Sequence, residues 1–189
     1  MQNKIKNMIQ ESAETSKFCE TLLPQIEKAA RLVVNVLKNK KKILLIGNGG
    51  SSSQASHIAA EFVGRYKIER NGMPAIALTA DMAAVTAISN DYGFESVYER
   101  QIEAFGNEGD VLIAISTSGN SKNIVKAVEK SKKMNIHVIA LLGKGGGNLK
   151  NTSNVEIIIP SNNTPRIQEA HLMILHIICE LVDNQLFGK

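Results

Sequence analysis

With 189 residues, 43% of them hydrophobic, the chain is long enough to bury a core and short enough for one domain with a helical extension. Its 22 Lys and Arg against 18 Asp and Glu leave +4, too mild to imply nucleic acid, and aromatic residues at 4% with no tryptophan offer few platforms for stacking bases. No apolar run approaches the ~18 residues that span a bilayer, and the start, "MQNKIKNMIQESAET", has no apolar signal core, so a soluble cytoplasmic protein is expected. Cys19 and Cys179 lie far apart without C-x-x-C spacing and read as free thiols of a reducing compartment.

Residues from about Lys4 to Lys38 read as one or two amphipathic helices broken near Pro24, with "IEKAARLVVNVLK" showing apolar positions at helical spacing. The basic run "KNKKK", Lys38 to Lys42, falls where that helix ends, and cations there complement the helix dipole. A short strand "KILLIG" (42–47) precedes a helix from Ser51 to about Tyr66. A second strand, "AIALT" (75–79), leads to helical stretches near 82–88 and 95–106. The third strand "DVLIAIS" (110–116) precedes the helix "SKNIVKAVEKSKKM", and "HVIALLG" (137–143) and "VEIIIP" (155–160) are the last two strands. His137, opening a strand, and "GKGGGN" (143–148), following one, read as ordinary turn chemistry; a long helix from about Thr164 to Phe187 closes the chain. Alternating strands and helices imply an α/β class: a doubly wound, five-stranded parallel sheet flanked by helices, with an N-terminal helical extension. The strands are almost continuously apolar, as expected where both faces are covered.

Two strands end in loops of similar character. "GNGGSSS" (47–53) follows the first and "STSGNS" (116–121) the third, and each opens a helix. Glycine lets the backbone approach a ligand, hydroxyls donate hydrogen bonds, and the helix start presents free N–H groups, which together suit a phosphate. The first loop lacks G-x-G-x-x-G and no P-loop lysine follows it, which argues against a nucleotide. In a doubly wound sheet, strands one and three would flank the point where strand order reverses, and ligands collect there.

His57 and Glu61 are i and i+4 on the helix leaving the first loop, about 40° apart on one face. Imidazole and carboxylate at that spacing bind a metal jointly or flank a substrate as acid and base. On the last helix Gln168, Leu172 and His176 step along one face, while His171 points elsewhere and reads as structural.

"GNGGS", the following His and Glu, "GRY", "NDYGFE", "ISTSGNS" and the final "RIQE" with two histidines stand in an order that resembles the sugar isomerase (SIS) domain family and, within it, the phosphoheptose isomerases. The resemblance covers nearly the whole chain and implies a single SIS domain over 1–189, with helices 1–40 used in oligomerisation. It implies an aldose–ketose isomerase that converts sedoheptulose 7-phosphate into D-glycero-D-manno-heptose 7-phosphate through an enediol, for bacterial surface heptose (lipopolysaccharide core or capsule). A homotetramer with active sites between subunits and one zinc ion per site is implied as well.

Carried over by position, the zinc ligands would be His57, Glu61, Gln168 and His176. Substrate contacts would come from Asn48, Gly49, Gly50, Ser51, Glu61, Asn90, Asp91, Ser116, Thr117, Ser118, Ser121 and Gln168. Isomerisation needs a base, an acid and a group that stabilises a developing oxyanion; Glu61 and His176 are the candidate base and acid. The chain departs from the family pattern at Gln54, where many relatives carry Asp. With the two pairs of ligands more than 100 residues apart, a site assembled from more than one chain is expected. The alternative class is a noncatalytic SIS protein that regulates replication initiation by binding DnaA; that family lacks the glutamate and second histidine found here.

Overall fold

The structure, a computed structural model, describes residues 1–188. Helix α1 (Gln2–Phe18), a 3-10 turn (Cys19–Leu22) and α2 (Leu23–Lys38) lead into β1 (Ile43–Gly47) and α3 (Gly50–Val63). Then come β2 (Ala75–Ala77), α4 (Met82–Tyr92), a turn at Phe94–Ser96 and α5 (Val97–Phe105). Strand β3 (Val111–Ser116), α6 (Lys122–Lys133), β4 (His137–Leu142), a 3-10 turn (Lys144–Leu149), β5 (Val155–Ile158) and α7 (Thr164–Phe187) complete the chain.

All four strand pairings are parallel and the order is β2-β1-β3-β4-β5, so the switch point falls between β1 and β3, as expected. Period-two alternation divides each strand between two cores. Ile43, Leu45, Val111, Ile113 and Ile115 face α2, α3 and α7, whereas Leu44, Ile46, Leu112 and Ala114 face α5 and α6. At the amino end of the sheet, Lys42 Nζ pairs with the buried Asp110 at 2.6 Å, and that carboxylate also accepts from the Lys42 and Asn107 amides. The basic run thus includes one lysine that ties β1 to β3.

Several boundaries differ from the sequence expectation. The N-terminal helices break at Cys19–Leu22, ahead of Pro24; the proline sits in the first turn of α2, where its missing N–H leaves no hydrogen bond unmade. Helix α3 stops at Val63, three residues early, because Gly64 turns the chain and Arg70 takes up the carbonyls the helix leaves free. Strand β2 is shortened to three residues at the sheet edge. Helix α4 continues to Tyr92, capped by the Asp81 carboxylate on the Ala84 amide and ended by Gly93 at φ 84°.

His171 is structural, as expected. It is fully buried on α7, with Nε2 3.0 Å from the Leu142 carbonyl at the end of β4. Burial pushes its pKa down to about 4, and the hydrogen bond opposes this more weakly. The folded value lies below the ordinary one, so the unfolded chain binds the extra proton. Stability from this group is therefore complete above about pH 6.5 and lost progressively towards pH 4, by on the order of 3 kcal/mol. Urea unfolding at stepped pH should show that decline, and His171→Gln, which keeps a donor for Leu142 but does not titrate, should flatten it. An equally steep decline in the variant would assign the acid sensitivity to other groups.

Candidate functional site

The two polar loops lie side by side at the carboxyl end of β1 and β3 and are joined by a reciprocal amide pair. Asn48 Nδ2 donates to Asn123 Oδ1 at 2.9 Å and Asn123 Nδ2 donates to Asn48 Oδ1 at 2.8 Å. Tyr98 Oη donates to the Gly47 carbonyl beneath the first loop, and burial pushes its pKa up to about 12, so it stays a neutral donor. The Asn48 side chain is thus engaged by the first turn of α6, while Gly49 is exposed and Ser51 is buried at the first turn of α3. Gly50 allows a close approach: a Cβ there would lie 2.6 Å from Gln168 Nε2, which brings α7 against the start of α3.

In the second loop Ser116 Oγ accepts from the Gly119 amide and Ser118 Oγ accepts from the Asn120 amide. Both hydroxyls keep a proton to donate, and the half-buried Thr117 lies between them. Ser121 is the N-cap of α6, and its side chain makes no cap hydrogen bond. Hydroxyl donors and open helix amides therefore converge beside one another, as a phosphate requires.

The Gly-rich turn after β4, read from sequence as ordinary turn chemistry, does more than reverse the chain. Gly119 (φ 66°) packs so closely on the Gly146 carbonyl that a Cβ would collide with it. Asn120 Oδ1 accepts from the Asn148 amide at 2.9 Å, and Leu149 N donates to the Gly119 carbonyl. The turn is a second layer supporting the 116–121 loop.

His57 Nε2 lies 3.0 Å from His176 Nε2 and 3.4 Å from Glu61 Oε1, and the three donor atoms lie within 4.8 Å of one another. Donors about 2.0–2.1 Å from a tetrahedral zinc lie roughly 3.3–3.4 Å apart, so the His57–Glu61 separation matches an edge of such a site and the His57–His176 separation of 3.0 Å is somewhat shorter than one. Imidazole nitrogens and a carboxylate oxygen are donors that zinc accepts. The residues fit the ion. Tyr66 stacks on the His176 ring, with centroids 5.8 Å apart and planes 21° from parallel, and so holds the imidazole plane.

This cluster forms within one chain. The expected assembly of the site from more than one chain is not needed to bring these three ligands together, because α3 and α7 cover the same face of the sheet and pack on each other. Gln168, two turns before His176, faces Gly50 with its side chain, and its carbonyl accepts from Gln54 Nε2 at 2.8 Å. Asn90 and Asp91 stand apart from this constellation: at the exposed end of α4, Asn90 Nδ2 donates to Asp91 Oδ1 at 2.9 Å. Sequence reasoning did not single out Asn123, Tyr98 or Tyr66 as supports, and it marked Gln54 only as a departure from the family pattern. Each acts across the fold, and only Tyr66, inside the quoted "GRY", lay within a motif.

A parallel sheet with hydroxyl-rich loops at its switch point, beside a His–Glu–His group able to hold a metal, has the features of an α/β domain that takes an anionic ligand at the carboxyl ends of its strands. The SIS domain model matches residues 9–143. The chain is 51% identical over 179 residues to a phosphoheptose isomerase from Nitratiruptor sp., covering 95% of this chain and 96% of that one. It is 47% identical over 182 residues to that of Aliarcobacter butzleri, covering 96% of each. A solved phosphoheptose isomerase structure from Neisseria gonorrhoeae superimposes with a TM-score of 0.91 at 41% identity, covering 97% of this chain and 98% of that one. The chain belongs to the SIS domain family and, within it, to the phosphoheptose isomerases.

Proposed function

We propose that the protein converts sedoheptulose 7-phosphate into D-glycero-D-manno-heptose 7-phosphate, supplying heptose for a bacterial surface polysaccharide. The observation that carries this reading is the convergence of His57, Glu61 and His176 in a chain whose neighbouring loop offers a phosphate seat. Ser116, Thr117, Ser118 and Ser121 hold the phosphate, and Asn48, Gly49, Gly50, Ser51 and Gln168 line the path towards the reacting carbons. Asn90 and Asp91 are assigned to the sugar through the family resemblance.

Zinc held by His57, Glu61 and His176, with Gln168 as a fourth ligand, would supply Lewis-acid stabilisation of the enediol oxygens. Glu61 removes the proton from C1 of the ketose and returns it at C2. One carboxylate oxygen, Oε1, faces His57, leaving Oε2 for the proton. His176 delivers a proton to the C2 oxygen as the enediol forms and takes the C1 hydroxyl proton as the aldehyde forms, so it ends each turnover as it began, and Tyr66 stacks on its ring.

The proposed assembly is a homotetramer. An open groove of about 660 Å³ runs between α2 and α7, with exposed Leu23, Ile177 and Leu181 among its lining residues, and α1 exposes Ile5, Met8 and Ile9. Apolar surface of that kind suits burial between copies. Among the described residues, no helix is long and apolar enough to cross a membrane.

The deciding experiment is a coupled assay of ketose-to-aldose conversion on sedoheptulose 7-phosphate. Activity should be present, disappear on chelation and return with zinc. A zinc-supplied protein without isomerase activity would instead support the regulatory reading, a SIS protein that binds DnaA.

A further inference from the structure

Three levels of polar contact join α3 and the segment after it to α7. Gln54 bonds the Gln168 carbonyl at one end, His57 meets His176 in the middle, and Lys67 and Arg70 reach Glu180 and Asp183 at the other. Rising numbers on α3 meet rising numbers on α7, so the two helices run in the same direction. Asp183 stands two turns beyond His176, on the same stripe of α7.

At that far end the Arg70 and Asp183 side chains are each 1% exposed and paired at 2.7 Å. The guanidinium also donates to the carbonyls of Phe62 and Glu61 at 2.9 Å, Gly64 at 3.1 Å and Asn71 at 3.2 Å. It is thus the cap of α3, and one of the carbonyls it holds belongs to Glu61. A buried ion pair is seldom more stabilising than apolar residues of the same volume, so stability alone does not account for it. What an apolar pair cannot supply is a planar fork that fixes five acceptors at once.

We propose that the buried Arg70–Asp183 pair is a positioning device: it locks the end of α3 to α7 and thereby sets the place of the Glu61 carboxylate relative to His57 and His176. Neither residue touches substrate. The clamp acts through Glu61, much as outer partners orient a metal ligand, and losing such a partner typically weakens metal affinity about 10–100-fold.

The test compares assembled Arg70→Lys and Asp183→Asn proteins with the parent and with Val128→Ala, a core truncation on the opposite face of the sheet. In metal-free protein, the ¹H–¹⁵N imidazole resonances of His57 and His176 should move in both clamp variants and stay in place in the control. Cobalt titration should show affinity weakened about 10–100-fold in the clamp variants and unchanged in the control. Turnover should fall with little change in KM, because the phosphate seat lies on β3 and α6. Arg70→Lys retains the charge and carries the test if Asp183→Asn does not fold. Clamp variants that lose thermal stability as the control does, yet keep parental imidazole resonances and cobalt affinity, overturn the proposal. The cobalt arm rests on the metal reading of the site. A parent that binds no cobalt refutes that reading, and the imidazole spectra then decide the clamp.

Discussion

Glu61→Gln and His176→Asn should each lose at least about two orders of magnitude in turnover while still binding the sugar phosphate. A general acid or base contributes about 10²–10⁴-fold to rate, and each substitution also removes a donor from the His57–Glu61–His176 group. Glutamine preserves the volume of Glu61 but neither accepts the C1 proton nor offers an anionic oxygen. Asparagine at 176 removes the imidazole nitrogen 3.0 Å from His57 Nε2 and the ring on which Tyr66 stacks. Neither side chain is in the fully buried core, so both variants should fold and assemble. Binding should survive because the phosphate seat lies on a different loop, so the loss falls on kcat. Steady-state kinetics with calorimetric binding checks this; near-normal turnover in both variants would remove Glu61 and His176 from the chemistry.

Ser121→Asp should abolish useful substrate affinity without disturbing the fold. Residue 121 caps α6, its side chain makes no cap hydrogen bond, and the first turn of α6 carries no acidic residue. Aspartate is an equally good N-cap, and its charge complements the helix dipole, so the helix should be at least as stable. A phosphate seated there meets a fixed negative charge. At about 4 Å and an effective dielectric near 20, two unit charges repel by about 4 kcal/mol, or roughly 10³ in affinity. Solvent screening that halves this still leaves about 30-fold. Calorimetric titration with sedoheptulose 7-phosphate, beside thermal melting, would measure both. Undiminished affinity would place the phosphate elsewhere.

Local periodicity and composition carried much of this structure. Continuous apolar runs such as "LLI" in β1 and "VLIAI" in β3 marked buried parallel strands, and Thr164–Phe187 was readable end to end because apolar residues recur along it at helical spacing. The carboxyl-end loops and the His57–Glu61 pair were legible for the same reason: helical geometry fixes i and i+4 on one face wherever the helix lies. The stop of α3 at Val63 was not legible, since its cap is Arg70, whose partner Asp183 lies 113 residues further on.

By itself, then, the sequence determined the α/β class, the two hydroxyl-rich loops and which residue types were available for metal and proton chemistry, because these follow from short-range spacing. Only the tertiary structure decided that His176 meets His57 and Glu61 within one chain, that Asn123 at the start of α6 bonds Asn48 of the first loop, and that the Gly-rich turn after β4 supports the 116–121 loop. Such contacts depend on strand order and on which face of the sheet each helix covers. Apolar burial selects that face by the summed packing of whole helices, so no spacing within one segment announces the partner it will meet.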